Sequence, residues 1–197
     1  MLSIIEDCSP YYIRFTHDRI QEIINTCLSF ITDGSFIKPF THYKFNIDEA
    51  NAVLNMLPFS KEIELNQNRV SLFVSQPGLY YRAHKDGLTN RFSINYTIKI
   101  LDDKCVTSWY SDEDLAEYKI DNLPTNTSRE CIDFDKRKHI ALKSMTAKPN
   151  ECILFNTDIF HDFDNRNSTH ERIILTLRAK QPGEMYFEDI KKILFGY

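Results

Sequence analysis

The chemistry within reach of this sequence rests on His84, Asp86, His161 and Arg172. The first two close an aromatic-rich run, Leu79-Tyr80-Tyr81-Arg82-Ala83-His84-Lys85-Asp86, which reads as a strand ending in a turn at Gly87. On a strand, residues i and i+2 point to one face, so His84 and Asp86 present an imidazole and a carboxylate to a common point. A lone His-x-Asp step is most often a solvated turn. A second imidazole changes its meaning, because two imidazoles and one carboxylate hold a divalent metal on one face and leave its other positions open. His161, on a late strand, is the candidate second imidazole, with His139 and His170 as competitors in polar contexts. Arg172 opens the last long strand with a planar fork that matches a carboxylate.

These residues must be positioned by the elements around them. Ile20, Ile23, Ile24, Cys27, Leu28 and Ile31 recur at helical spacing, which predicts a helix over 18–31 with Thr16 or Asp18 as N-cap and Gly34 beyond its end. A second helix is expected over 48–57, stopped by Pro58, and a short one over 187–195, ended by Gly196. Between them the period changes. Strands are expected at 11–15, 69–75, 79–86, 91–100, 106–110, 139–142, 151–156 and 172–178, with His161 in a further extended segment. In 91–100, Phe92, Ile94, Tyr96, Ile98 and Ile100 share one face and Ser93, Asn95 and Thr97 the other. That second face suits either solvent or the wall of a polar cavity. Tyr96 falls on the apolar face and reads as core. Trp109 reads as core or as part of a substrate cleft. On the last strand Arg172, Ile174, Thr176 and Arg178 share a face, and Arg178 stands roughly 20 Å further along, too far to bind the same anion. Residues 111–137 read as an irregular insertion, and the wider stretch 111–148 is a candidate lid.

Composition bounds the rest. The 197 residues are 42% hydrophobic and 26% charged, a globular balance. With 14 Phe, 10 Tyr and 5 Gly the chain leans towards strands. A formal net charge of −4 gives no general attraction to nucleic acid. Five cysteines, Cys8, Cys27, Cys105, Cys131 and Cys152, are an odd number without C-x-x-C spacing, as expected of reduced thiols. The N-terminus lacks a signal-peptide pattern, and no window reaches the ~18 apolar residues of a membrane span. A cytoplasmic protein with no membrane or nucleic-acid partner is the expectation.

The order His84-x-Asp86, a variable interval, His161, then Arg172 resembles the Fe(II)/2-oxoglutarate-dependent oxygenase superfamily. Lys148-Pro149-Asn150-Glu151-Cys152-Ile153-Leu154-Phe155 is similar to that family's turn and strand before the distal histidine, with Asn150 in place of glycine. His161-Asp162-Phe163-Asp164-Asn165 and Glu171-Arg172-Ile173-Ile174-Leu175 are similar to its closing strands, and Tyr81-Arg82-Ala83-His84 to the lead-in of prolyl-hydroxylase-like members. The likeness, which also touches the aspartyl/asparaginyl hydroxylase-like and phage-type oxygenases, covers about residues 69–180. It implies an α+β chain with a double-stranded β-helix (jelly-roll, cupin-like) core and N-terminal flanking helices, taken here as one domain over 1–197. It further implies Fe(II) held by His84, Asp86 and His161, 2-oxoglutarate anchored by Arg172 with Tyr81 and Asn95 in its pocket, and O2 as oxidant. The implied reaction is hydroxylation of a C–H bond, with succinate and CO2 as co-products. The implied substrate is a small molecule or peptide, with an amino-acid side chain, free or in a peptide, preferred. Against this stand a non-catalytic jelly-roll module that binds a ligand or partner, and a zinc hydrolase using the same three donors.

Overall fold

A computed structural model of the chain describes residues 1–31, 40–86, 91–115, 120–122, 129–131, 140–180 and 185–197. Its strands run β1 (Leu2–Cys8), β2 (Tyr12–His17), β3 (Phe40–Lys44), β4 (Ser71–Ser75), β5 (Tyr80–Lys85), β6 (Phe92–Lys99) and β7 (Val106–Trp109). They continue with β8 (Ile120–Asn122), β9 (Arg129–Cys131), β10 (Lys143–Thr146), β11 (Cys152–Asn156), β12 (His161–Asp164) and β13 (Arg172–Leu177). The helices are α1 (Ile20–Ser29), α2 (Ile47–Leu54), the short α3 (Asp112–Leu115) and α4 (Phe187–Phe195).

All described strand pairs are antiparallel and form two sheets. The larger has the order β1-β2-β11-β6-β13-β4-β3, the smaller β10-β7-β12-β5-β9-β8. This is the jelly-roll expected from the sequence. Strands β2 and β11 carry buried apolar residues on both faces, with the Arg14–Glu151 pair among them, whereas the centre of the large sheet is divided. On β6, β13 and β4, Ile94, Tyr96, Ile173, Leu175, Leu177, Leu72 and Val74 are buried in the main core. Against them pack Ile23, Ile24 and Cys27 of α1, Val53 of α2, and Phe187 and Ile190 of α4. The alternate residues of the same strands, Ser93, Asn95, Arg172, Thr176 and Ser75, are also buried, but they line a cavity facing the small sheet. The period of two thus separates a hydrocarbon core from a polar chamber across one sheet. A second apolar cluster, including Tyr12, Trp109, Ile153 and Phe155, closes the space between the sheets beside that chamber.

Local chemistry sets the element ends. Asn46 caps α2: its Oδ1 accepts from Glu49 N at 2.9 Å and its own N–H donates to Glu49 Oε2 at 2.8 Å. Gly196, at φ 86°, stops α4 in the left-handed conformation and donates to Lys192 O at 2.9 Å. Asn150 occupies a left-handed position, φ 60°, in the turn before β11, a conformation Asn tolerates better than most side chains.

Several expectations are corrected. The first helix begins at Ile20 with Arg19 at the N-cap and no side-chain cap, because β2 continues to His17 and Thr16 is paired with Ser3 of β1; Gly34 lies outside the described residues. Residues 67–69 form a single 3-10 turn, so the strand expected from 69 starts at Ser71. The strand expected at 139–142 is displaced to Lys143–Thr146, with Ile140 and Leu142 exposed. Ile100 leaves the helix-facing core for the inter-sheet cluster, since β6 ends at Lys99 after a bulge opposite Ile173 and Ile174. Strands β1 and β3, at the two edges of the large sheet, were not anticipated. Within the insertion, β8 and β9 extend the small sheet past β5, while most of 116–139, and Gly87, lie outside the described residues. The four cysteines with described side chains are free thiols. Among the described residues no helix is long and apolar enough to cross a membrane.

Candidate metal centre

Antiparallel pairing of β5 with β12 sets His84 directly opposite His161. Side chains of directly opposed residues lie on the same face of a sheet, and the two imidazole centroids are 4.4 Å apart. The ladder is irregular between His161 and Phe163, a bulge of the kind that re-aims a side chain beside a site. Asp86 lies one residue beyond β5, held by its N–H donating to Thr157 O at 3.2 Å. Its Oδ1 is 3.5 Å from His84 Nε2. One donor atom from each of His84, Asp86 and His161 lies within 4.8 Å of the others. The structure therefore brings the three sequence candidates together. His170 is exposed and outside this cluster, and His139 lies outside the described residues.

The hydrogen bonds behind the two rings decide what they present in front. His84 Nδ1 is 2.8 Å from Arg82 O and His161 Nδ1 is 2.9 Å from Ile159 O. A carbonyl only accepts, so each Nδ1 carries a proton and each ring turns its Nε2 to the centre. Burial, then His84 alongside it, push His161 down to about 3, so it is neutral at physiological pH. Burial alone would raise Asp86, but the Arg178 guanidinium, the His84 contact and His161 outweigh it and hold the carboxyl well below its usual range. Two imidazole lone pairs and a carboxylate converging in a buried site are electron-rich without a central cation. That donor set fits a divalent transition metal.

The cluster opens onto a cavity of about 200 Å³ between the sheets. Tyr81, Asn95 and Arg172 all line it, as do Ser75, Ser93 and Thr107. The alternatives left open for the polar face of β6 are thereby resolved in favour of a cavity wall. Tyr81 packs edge-on to the His84 ring at 4.8 Å. Arg172 is 5% exposed, stacks over Phe163 at 4.8 Å, and among the described residues reaches Cys105 Sγ, at 3.7 Å, through Nη1. Among the described residues its Nε finds no partner, nor does Asn95 Oδ1. Burial raises the Cys105 thiol even with Arg172 beside it, so the sulfur is neutral. Arg14 supplies the contrast. Equally buried, it is held by Glu151 and by Glu6, the latter at 3.1 Å. Among the described residues Arg172 has no such carboxylate, and a buried guanidinium in that condition is suited to receive one from a ligand.

Two further candidates resolve differently. Tyr96 is core, its hydroxyl 2.9 Å from His17 Nε2. Trp109 is fully buried, stacked on Tyr12 at 5.2 Å with Nε1 donating to Asn156 O at 3.2 Å; it is not among the described residues lining the cavity at the cluster. Sequence reasoning missed Asp162 and the partner of Arg178. Asp162, fully buried in the cavity wall, accepts from Ser108 N at 3.2 Å and from the Tyr110 hydroxyl at 2.9 Å. Arg178 Nη2 meets Asp86 Oδ2 at 3.1 Å, which leaves Oδ1 towards the imidazoles.

Fold and site together define a jelly-roll chain with a His-Asp-His cluster at the mouth of a buried, arginine-lined cavity. The sequence matches no protein-family model and no curated protein. Solved structures do match in shape. The epimerase SnoN in complex with Fe3+, alpha ketoglutarate and nogalamycin RO aligns at a TM-score of 0.52 and 8% identity, over 88% of this chain and 82% of that one. HygX from Streptomyces hygroscopicus, with nickel and 2-oxoglutarate bound, aligns at 0.54 and 6% identity, over 89% and 84%. At such identities the likeness is one of fold.

Proposed function

We propose that the chain is a member of the Fe(II)/2-oxoglutarate-dependent oxygenase superfamily. The observation that carries this reading is the convergence of His84, Asp86 and His161 on the same cavity as Arg172, a buried arginine that no carboxylate among the described residues pairs with. His84, Asp86 and His161 would hold the iron. Arg172 would take the distal carboxylate of 2-oxoglutarate as a charge-assisted pair, with Asn95 and Tyr81 as polar and aromatic walls. Iron bound there supplies the redox chemistry: one atom of O2 ends in succinate as 2-oxoglutarate loses CO2, and the other in the oxidised product. The residues of the chain do the positioning. The two backbone carbonyls fix the imidazole tautomers, Arg178 orients the Asp86 carboxylate, and the apolar cluster around Phe155 and Trp109 keeps bulk water from one side. The ligands carried by SnoN and HygX support the reading through the shared fold.

Hydroxylation of a C–H bond is the proposed outcome, with an amino-acid side chain, free or in a peptide, as the substrate class. The test is succinate formation from 2-oxoglutarate under air with Fe(II), screened across amino acids and peptides, with products identified by mass spectrometry. Succinate should form and fall at least 100-fold in His84→Ala, Asp86→Ala and His161→Ala. Variants that keep wild-type turnover would remove the site assignment, and an epimerised or cyclised product would replace hydroxylation.

A further inference from the structure

A second cavity, of about 480 Å³, adjoins the first, and Arg178 and Phe73 line both. Its other described walls are His42 and Lys44 of β3, Asn66, Asn68 and Arg69 ahead of β4, and Ser71. Every charged side chain among these is basic, and the remaining polar ones are an imidazole, two carboxamides and a hydroxyl. Among the described residues no carboxylate lines this groove. The nearest negative charge in the metal-centre cavity, Asp86, already meets Arg178 through Nη2, and the Arg178 side chain is still 21% exposed. The wall is rigid on one side, where His42 stacks flat on Phe73 at 4.5 Å with 6° between the ring planes. His42 also senses the local field: burial first, then Arg178 and Lys44, lower its basicity. A positive patch on a chain of net charge −4 is a local concentration of charge, and a groove of one sign attracts and orients the opposite one.

We propose that this groove is the subsite for an oxyanion of the substrate, a phosphate or carboxylate, so that the molecule oxidised at the metal centre is a small molecule of net negative charge. The inference rests on the oxygenase reading and narrows its substrate class. A zwitterionic amino acid fits less well, because its ammonium group would enter a groove whose described side chains are basic or neutral. Arg178, shared by both cavities, couples the two: it touches the Asp86 carboxylate on one side and faces the groove on the other. A substrate anchored by its anionic end at Arg69, Lys44 and Arg178 would therefore extend towards the His84–His161 pair.

Binding and substrate choice are tested separately. Metal-free full-length protein at low ionic strength is titrated calorimetrically with inorganic phosphate and, in a second arm, with acetate. Wild type should bind one of the two, and the arm that responds identifies phosphate or carboxylate. Lys44→Glu should weaken that binding at least tenfold and Lys44→Gln by a smaller factor; Lys44 is exposed on an edge strand, so both should fold. The same titrations repeated in Arg172→Met, which removes the carboxylate anchor of the other cavity, should retain binding that adding Lys44→Glu weakens at least tenfold, and only this retained binding is assigned to the groove. No heat from either anion at 50 mM, or equal affinity in Lys44→Glu, would overturn the subsite. In the succinate screen, phosphorylated or multiply carboxylated amino acids should exceed their neutral parents at least tenfold in kcat/KM, and Lys44→Glu should erase the preference. Equal rates would overturn the substrate assignment. Absence of succinate with every compound would instead remove the oxygenase reading, with calorimetry still deciding the groove.

Discussion

Arg172→Met should make the protein more stable while crippling co-substrate binding. In the folded chain the guanidinium is 5% exposed, and among the described residues its Nε lacks a partner and its hydrogen bond is a long contact to a neutral thiol. An unmatched buried donor costs about 1–3 kcal/mol, and an uncompensated buried charge adds to that cost. Methionine has a similar reach, carries no charge, and can place sulfur against the Phe163 ring. The substitution should therefore stabilise the ligand-free protein by about 1–3 kcal/mol, a rise of roughly 1 M in the urea midpoint at a slope of about 2 kcal/mol/M. The same change removes both arms of a charge-assisted fork, each worth about 1.5–3 kcal/mol. Loss of about 3 kcal/mol weakens 2-oxoglutarate binding by two orders of magnitude. Urea unfolding followed by circular dichroism reads the first effect, and calorimetry with 2-oxoglutarate and a redox-inert divalent metal reads the second. A destabilised variant that binds 2-oxoglutarate as wild type does would refute Arg172 as a strained anchor.

Arg14→Met, at an arginine of equal burial, should have the opposite effect on stability. It strands Glu151, 7% exposed, and should cost about 3–5 kcal/mol in urea unfolding, partly recovered in the double variant with Glu151→Gln; a neutral effect would contradict the pairing. Asn150→Val should cost about 1–2 kcal/mol at its left-handed φ while Asn150→Gly should be neutral or stabilising, and thermal melts that rank the two the other way would be inconsistent with that turn. Asp7 ties the end of β1 to Lys191 of α4 at 3.0 Å and to the hydroxyl of Tyr197, just past that helix, at 3.2 Å. Burial would raise its pKa, but bonds from the Ser9 side chain and backbone, then Lys191, outweigh it and bring it to about 2. A folded value below the unfolded ~3.9 means a contribution present above pH 4 and lost as pH falls towards 2. Protection of α4 from hydrogen exchange should decline over that window in wild type and stay flatter in Asp7→Asn; identical acid limbs would exclude this link.

What could be read from residue order, and what could not, follows from range. His84, Asp86, His161 and Arg172 stood out because their types are unusual and their spacing matched a known order of strands, and the period-two pattern of β6 and β13 assigned each side chain to a face. The bulged pairing of β5 with β12, which brings the imidazoles to 4.4 Å, is a long-range register that no local pattern encodes. Arg178 was expected too far along its strand to share the Arg172 anion, yet both arginines line the cavity, and its contact with Asp86 joins the ends of strands in different sheets. Edge strands β1 and β3 escaped notice because one is largely exposed and the other follows a stretch without alternation; missing β3 hid the basic groove that His42 and Lys44 help to build. The cap of α1 failed for a related reason, since a neighbouring strand claimed Thr16 before the helix could.

The central claim is tested most directly by anaerobic addition of Fe(II) to the protein in the presence of 2-oxoglutarate, followed by visible absorption. One equivalent should produce a weak charge-transfer band in wild type that is absent from His161→Ala and Asp86→Ala. A wild-type protein that gives no band, or a His161→Ala variant that gives the same one, would contradict an iron centre built from these residues. Activity that persists when zinc replaces iron would point to the hydrolase instead.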